Sequence, residues 1–186
     1  MFRKELVVTV RRKDGKVETR RVVVDKAGGG DLVTTWGFRL ICCLFADVAR
    51  GGGVSMDFVD LDGMSRSFGC ISGDSSGFLG SGCVDRAPYI GFGSSNIAPS
   101  RSDYKLISEV GRVRGSTIAD ETTFTCSIVG SWTPDSDVTV CEVGLYMLVC
   151  DSSNVARYVL FDRSVLDPCV SVGAGETISV AYAFRF

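Results

Sequence analysis

Two runs rich in Val and Thr, Glu5 to Arg12 and Lys16 to Val24, flank the dipeptide Asp14-Gly15, and this pattern constrains the fold more than any other feature. Residues of these types favour extended strands, and Asp-Gly supplies the positive φ values of a tight primed turn. Residues 5–24 are therefore expected to form a β-hairpin with an exposed, charged tip. The device recurs at Val54 to Leu61 and Met64 to Ile71, joined by Asp62-Gly63. Further strands are expected at Tyr89 to Phe92, Thr122 to Val129, Val138 to Val149, Ala156 to Phe161 and Thr177 to Phe184. Gly93 to Ser102 reads as a turn region, and Asp103 to Val110 as a short helix at most. One stretch has a different period. Between the triplets Gly28-Gly29-Gly30 and Gly51-Gly52-Gly53, Leu32, Trp36, Leu40, Leu44 and Val48 recur every four residues behind Asp31, a helix-capping residue type, which predicts an α-helix over 31–50. The expected fold is mainly β: an antiparallel β-sandwich, jelly-roll-like, with an N-terminal hairpin arm over residues 1–30 and a sandwich domain with one helix over 31–186.

The chain of 186 residues contains no histidine. That removes every Ser-His-Asp or Cys-His nucleophile pair, every imidazole base and every histidine metal ligand. Its eight cysteines, at 42, 43, 70, 83, 126, 141, 150 and 169, include no Cys-x-x-Cys. Buried reduced thiols are the leading expectation for them, disulfides the alternative, and a metal site the least supported. Gly91-Phe92-Gly93-Ser94-Ser95 lacks the Gly-Lys-Ser/Thr of a phosphate-binding loop. Asp57, Asp60 and Asp62 lack the remaining ligands of a calcium loop and read as turn chemistry. No enzyme, cofactor or metal is expected.

Glu142 stands out because it lies inside the apolar run Val138 to Val149, where an unpaired carboxylate costs several kcal/mol. A structural ion pair is expected there, with Arg157 or Arg112 as partner. Charge is uneven along the chain: residues 1–30 carry nine Lys/Arg against four Asp/Glu, and the rest carry 11 against 18. The basic end is either a solvated hairpin face or a strand pair that rests on an acidic surface such as a neighbouring copy's. No aromatic platform accompanies the charges, so nucleic acid is not an expected partner. Arg11, Arg12 and Lys13 at the hairpin tip, and Trp132 in Gly130-Ser131-Trp132-Thr133-Pro134, are the candidate contact residues; an exposed Trp132 favours a carbohydrate- or receptor-binding module. Leu32 to Ala49 includes Arg39 and Asp47, which do not suit a bilayer core, and no apolar leader follows Met1, so neither a membrane nor secretion is expected.

From Tyr89 onward an ordered set of short motifs is present. Ile90-Gly91-Phe92-Gly93 leads to Pro99-Ser100-Arg101-Ser102-Asp103-Tyr104-Lys105-Leu106, then to Glu142-Val143-Gly144-Leu145-Tyr146, a strand opening with Ala156-Arg157, and a closing strand from Glu176 to Phe184. This set resembles a loosely related group of tailed-phage and archaeal-virus structural proteins, with their I-G-x-G, P-x-x-S-D-x-x-L and E-x-G-L-[FY] stretches. The resemblance implies a virion protein of the capsid decoration, turret, tail appendage or fibre type. It implies other virion proteins as partners, a homo-oligomer of three or more copies, and assembly in the host cytoplasm. Glu142 and Arg157 become a structural pair inside the sandwich, and the loops near 72–82 and 93–101 become contact surfaces.

Overall fold

The computed structural model describes residues 3–24, 31–35, 37, 55–69, 87–151, 153 and 155–185. Every element with described bounds is a strand, Thr35 and Gly37 alone among the described residues being helical: β1 (Arg3–Arg11), β2 (Val17–Val24), β3 (Asp31–Val33), β4 (Ser55–Val59), β5 (Ser65–Gly69), β6 (Pro88–Gly93), β7 (Glu109–Arg114), β8 (Ser116–Asp120), β9 (Thr125–Trp132), β10 (Val138–Cys150), β11 (Ala156–Val172) and β12 (Thr177–Arg185). Two five-stranded antiparallel sheets, in the orders β2-β1-β12-β9-β8 and β3-β11-β10-β6-β7, enclose the main core, and β4-β5 form a separate hairpin. The fold is the antiparallel, mainly β sandwich that the many short strand runs predict.

Alternation explains the first sheet. Along β12 every second residue is buried, so Ile178, Val180, Tyr182 and Phe184 meet Leu6, Val8 and Val10 of β1 in the core, while Ser179, Ala181 and Ala183 lie on the outer face. β1 pairs along its whole length with β12, so the N-terminal hairpin expected as an arm is built into the sandwich. Its tip differs from the expected primed turn. Gly15 alone has positive φ (84°), Arg12 N–H donates to Lys16 O at 2.8 Å, and the Asp14 carboxylate accepts from the Lys16 amide at 3.0 Å. This is a three-residue loop with glycine at the bulge position, the other solution open to an Asp-Gly sequence.

The second sheet is covered on both faces. β10 is buried over most of its 13 residues, which accounts for the near-continuous apolar run in its sequence. Val143 and Leu145 face the main core, whereas Glu142, Gly144 and Tyr146 face outward under the segment 94–108. The β4-β5 hairpin supplies Phe58 to a second apolar cluster with Val149 and Val159.

The expected helix is not borne out: Asp31, Leu32 and Val33, its first turn, pair with Ser164, Arg163 and Asp162 of β11 as a strand. Residues 36 and 38–50 lie outside the described residues. Just past β3, Thr34 anchors the chain to β11, donating its hydroxyl to Leu160 O at 2.6 Å and accepting from the Gly37 amide at 3.0 Å. A Cβ at Gly37 would collide with the Phe161 carbonyl, so glycine is required there. Asp103 to Val110 is likewise no helix; it is a loop that enters β7. Cys141 and Cys169 form a disulfide between β10 and β11, and Cys150 is also disulfide-bonded, which corrects the expectation of reduced thiols. Free Cys126 is half-buried.

Candidate functional site

The most concentrated polar chemistry lies on the outer face of the second sheet. Arg163 of β11 is fully buried and divides its guanidinium three ways: Nε donates to Glu142 Oε2 at 2.7 Å, Nη1 to Asp103 Oδ2 at 2.9 Å, and Nη2 to the Ile97 carbonyl at 2.8 Å. Glu142, equally buried, also accepts the backbone amides of Ser108 at 2.8 Å and Ile107 at 3.3 Å. Each of the pair's polar ends is therefore used to hold segment 94–108 on the sheet. Charge-assisted bonds of this kind are the strong ones, and burial makes their completeness essential.

Around this pair the motif residues meet. A Cβ on Gly93 would fall 2.5 Å from Glu142 Oε1, one on Gly91 2.8 Å from the Tyr146 ring, and one on Gly144 2.8 Å from Leu106 Cδ2. Three strand glycines thus let Glu142, Tyr146 and Leu106 close over the sheet. Tyr146 accepts the Leu106 amide at 2.9 Å and donates to Glu109 Oε2 at 3.1 Å; burial, then the Glu109 charge, pushes its phenol far above the ordinary tyrosine range. Arg112 lies over the Tyr146 and Tyr158 rings, 4.5 and 4.4 Å from their centroids, and makes a two-pronged pair with Glu109. A shallow depression of about 350 Å³ opens beside it, lined by Leu61, Lys105, Leu106, Ile107 and Glu109.

The expected Glu142–Arg157 pair is not formed. In the β10-β11 register Arg157 stands opposite Val149, seven residues along β10 from Glu142, while Arg163 stands opposite Gly144. Arg157 instead donates to Asp151 at 3.1 Å, and Arg112, the other expected partner, goes to Glu109.

Arg157 belongs to a repeated device. Asp60 accepts the amides of Asp62 and Met64 and the Arg66 guanidinium; Asp151 accepts the amides of Ser153 and Val155 and the Arg157 guanidinium. Both hairpins are closed by an aspartate six residues before an arginine, and the Leu61 amide joins them through Tyr158 O at 3.1 Å. Burial raises each carboxyl's pKa, but the amides and the arginine outweigh it, so both fall below the usual carboxylate range. The β1-β2 hairpin carries the same spacing with reversed sign: Arg12 grips Glu18 at 3.2 and 3.0 Å and adds Glu176 at 2.8 Å and Ser171 O at 2.7 Å.

Among the other expected contact residues, Arg11 and Lys13 are exposed, whereas Trp132 is half-buried within β9 and stacks on Phe92 at 5.2 Å. It is core packing, not an aromatic loop tip. Residues 94–101 are mostly exposed, and 72–82 lie outside the described residues. Among the described residues no group of three or more His, Cys, Asp or Glu could hold a metal ion, and no helix is long and apolar enough to cross a membrane. Arg163, Asp103 and Asp151 are site residues that sequence reasoning missed. A charged Asp162-Arg163 within an apolar strand run, and the spacing Asp-x-x-Gly/Asn-x-x-Arg, are the signals that locate them. No family model, curated protein or solved structure matches this chain.

Proposed function

We propose that this chain is a non-enzymatic structural protein of a virus particle, a capsid decoration, turret or tail appendage component that works through repeated protein–protein contacts with its own copies and with other virion proteins. One observation carries the proposal beyond the motif resemblance. Residues of the I-G-x-G, P-x-x-S-D-x-x-L and E-x-G-L-[FY] stretches converge on a single packing unit, in which Gly91, Gly93, Asp103, Leu106, Glu142 and Gly144 clamp one segment to one sheet. Their chemistry is spent on holding a scaffold rigid, which is what a repeated building block requires. The test is to band particles from the producing host on a density gradient, then to quantify the chain by mass spectrometry and locate it by immunogold microscopy. Stoichiometric recovery and surface labelling are expected. Absence from the particles, or traces unrelated to particle number, contradicts the proposal.

A further inference from the structure

β2 and β8 are the two outer strands of the same sheet, and among the described residues nothing pairs with the outer edge of either. β8 is exposed at all five positions, carries Ile118 at 58% exposure, and has no proline, lysine or bulge along Ser116 to Ala119. These are the devices that ordinarily protect an edge from pairing. Val17 to Arg21 of β2 are exposed as well. The two edges carry opposite charge: residues 16–21 hold three cations against one anion, and residues 116–121 hold two anions and no cation.

Geometry adds to charge. Four antiparallel steps separate β2 from β8, so the two run in the same direction. A copy shifted along the sheet therefore offers its β2 parallel to β8. The ladder also settles which residues share a face: Val17, Thr19 and Arg21 on β2, and Ser116, Ile118 and Asp120 on β8, all lie on the side away from the core. Setting Ser116 beside Val17, Ile118 beside Thr19 and Asp120 beside Arg21 keeps both faces in phase and brings the acid next to the base. Two copies of β2 placed antiparallel would bring arginines together, and two copies of β8 would leave the basic edge uncovered.

We infer that β8 of one copy pairs with β2 of the next, which extends the sheet from molecule to molecule in a head-to-tail ring or filament. The inference rests on the proposed building-block role and names the surface through which it acts. Two variants separate its parts. The Arg12–Lys16 bond makes that pair a hydrogen-bonded one, so alternation turns the Thr19 amide away from β1, and Thr19→Pro blocks the β2 edge without breaking the hairpin. Ala119→Lys with Glu121→Lys sets a lysine beside Arg20 and removes an anion from the edge, so that β8 repels its partner.

Native mass spectrometry and light scattering across concentration are the readouts, with circular dichroism verifying the fold of each variant. The unmodified chain is expected to assemble beyond dimers, less so at high salt. Each variant alone is expected to stay at the single-chain mass of 19.9 kDa, and an equal mixture to form a dimer and stop, because only one intact edge of each kind remains. Overturning results are an unmodified chain that remains monomeric or stops at a dimer, a variant that assembles alone like the unmodified chain, or a mixture that stays monomeric. Presence of the chain in particles with assembly indifferent to both variants would defeat this interface and leave the virion role standing. Mixture-specific dimers of a chain absent from particles would do the reverse.

Discussion

Arg163 and Arg12 are held by the same chemistry, two carboxylates and one backbone carbonyl, yet one is wholly buried beneath segment 94–108 and the other sits at the rim of the β1-β2 hairpin with 23% of its side chain exposed. Contacts alone do not rank them. Water can take over whatever Arg12 releases, but nothing replaces Arg163 beside Glu142. The difference between the two clusters is therefore one of consequence: the inner one fixes which fold is possible, and the outer one adjusts a hairpin already fixed by its ladder.

The largest effect is expected from opening the inner cluster. Arg163→Met leaves the Glu142 carboxylate buried with only backbone amides, and should cost about 3–5 kcal/mol in urea unfolding, a fall of roughly 10 °C in thermal midpoint. The hairpin aspartates sharpen the comparison, since they are buried but close to the surface. Asp60→Asn or Asp151→Asn should each lose about 1–3 kcal/mol near neutral pH. The sign of their pH dependence is fixed. Both carboxyls are depressed in the folded state, so their stabilisation is present above the unfolded aspartate value of about 4 and is lost as pH falls through the lower folded value. Acid unfolding curves of the double variant Asp60→Asn/Asp151→Asn should accordingly be flatter below about pH 4 than those of the parent. Smallest is Arg12→Ala, expected to lower the thermal midpoint by about 2 °C or less, with the difference erased in about 0.5 M salt. A loss from Arg12→Ala as large as that from Arg163→Met would break the comparison.

The parts of this molecule legible in its sequence are those whose signal is local. Hairpins at Asp14-Gly15 and Asp62-Gly63, the alternation of β12 and the apolar run of β10 appear where the residues place them. β7 and β8 are not legible. An edge strand with little burial has no apolar period to reveal it, and Glu109 to Asp120 mixes charge with glycine. β11 extends far beyond Phe161 because Asp162, Arg163 and Ser164, which interrupt the apolar run, are buried all the same. Leu32 and Val33 fit a four-residue period but answer to β11, whose edge takes residues 31–33 as a strand. Glu142 could be singled out because a carboxylate in an apolar run demands a partner. Which arginine answers is set by strand register, and the two bulges in the β10-β11 ladder are not written in either strand.

The inner pair is a structural unit if its two members matter mainly to each other, and a thermodynamic cycle tests this directly. Urea unfolding of the parent, Arg163→Met, Glu142→Gln and the double variant gives the coupling. Glutamine can still accept the Ser108 amide without a buried charge, so the double variant should be more stable than Arg163→Met alone by at least about 1 kcal/mol. Losses that simply add, with the double variant the least stable of the four, would contradict the account.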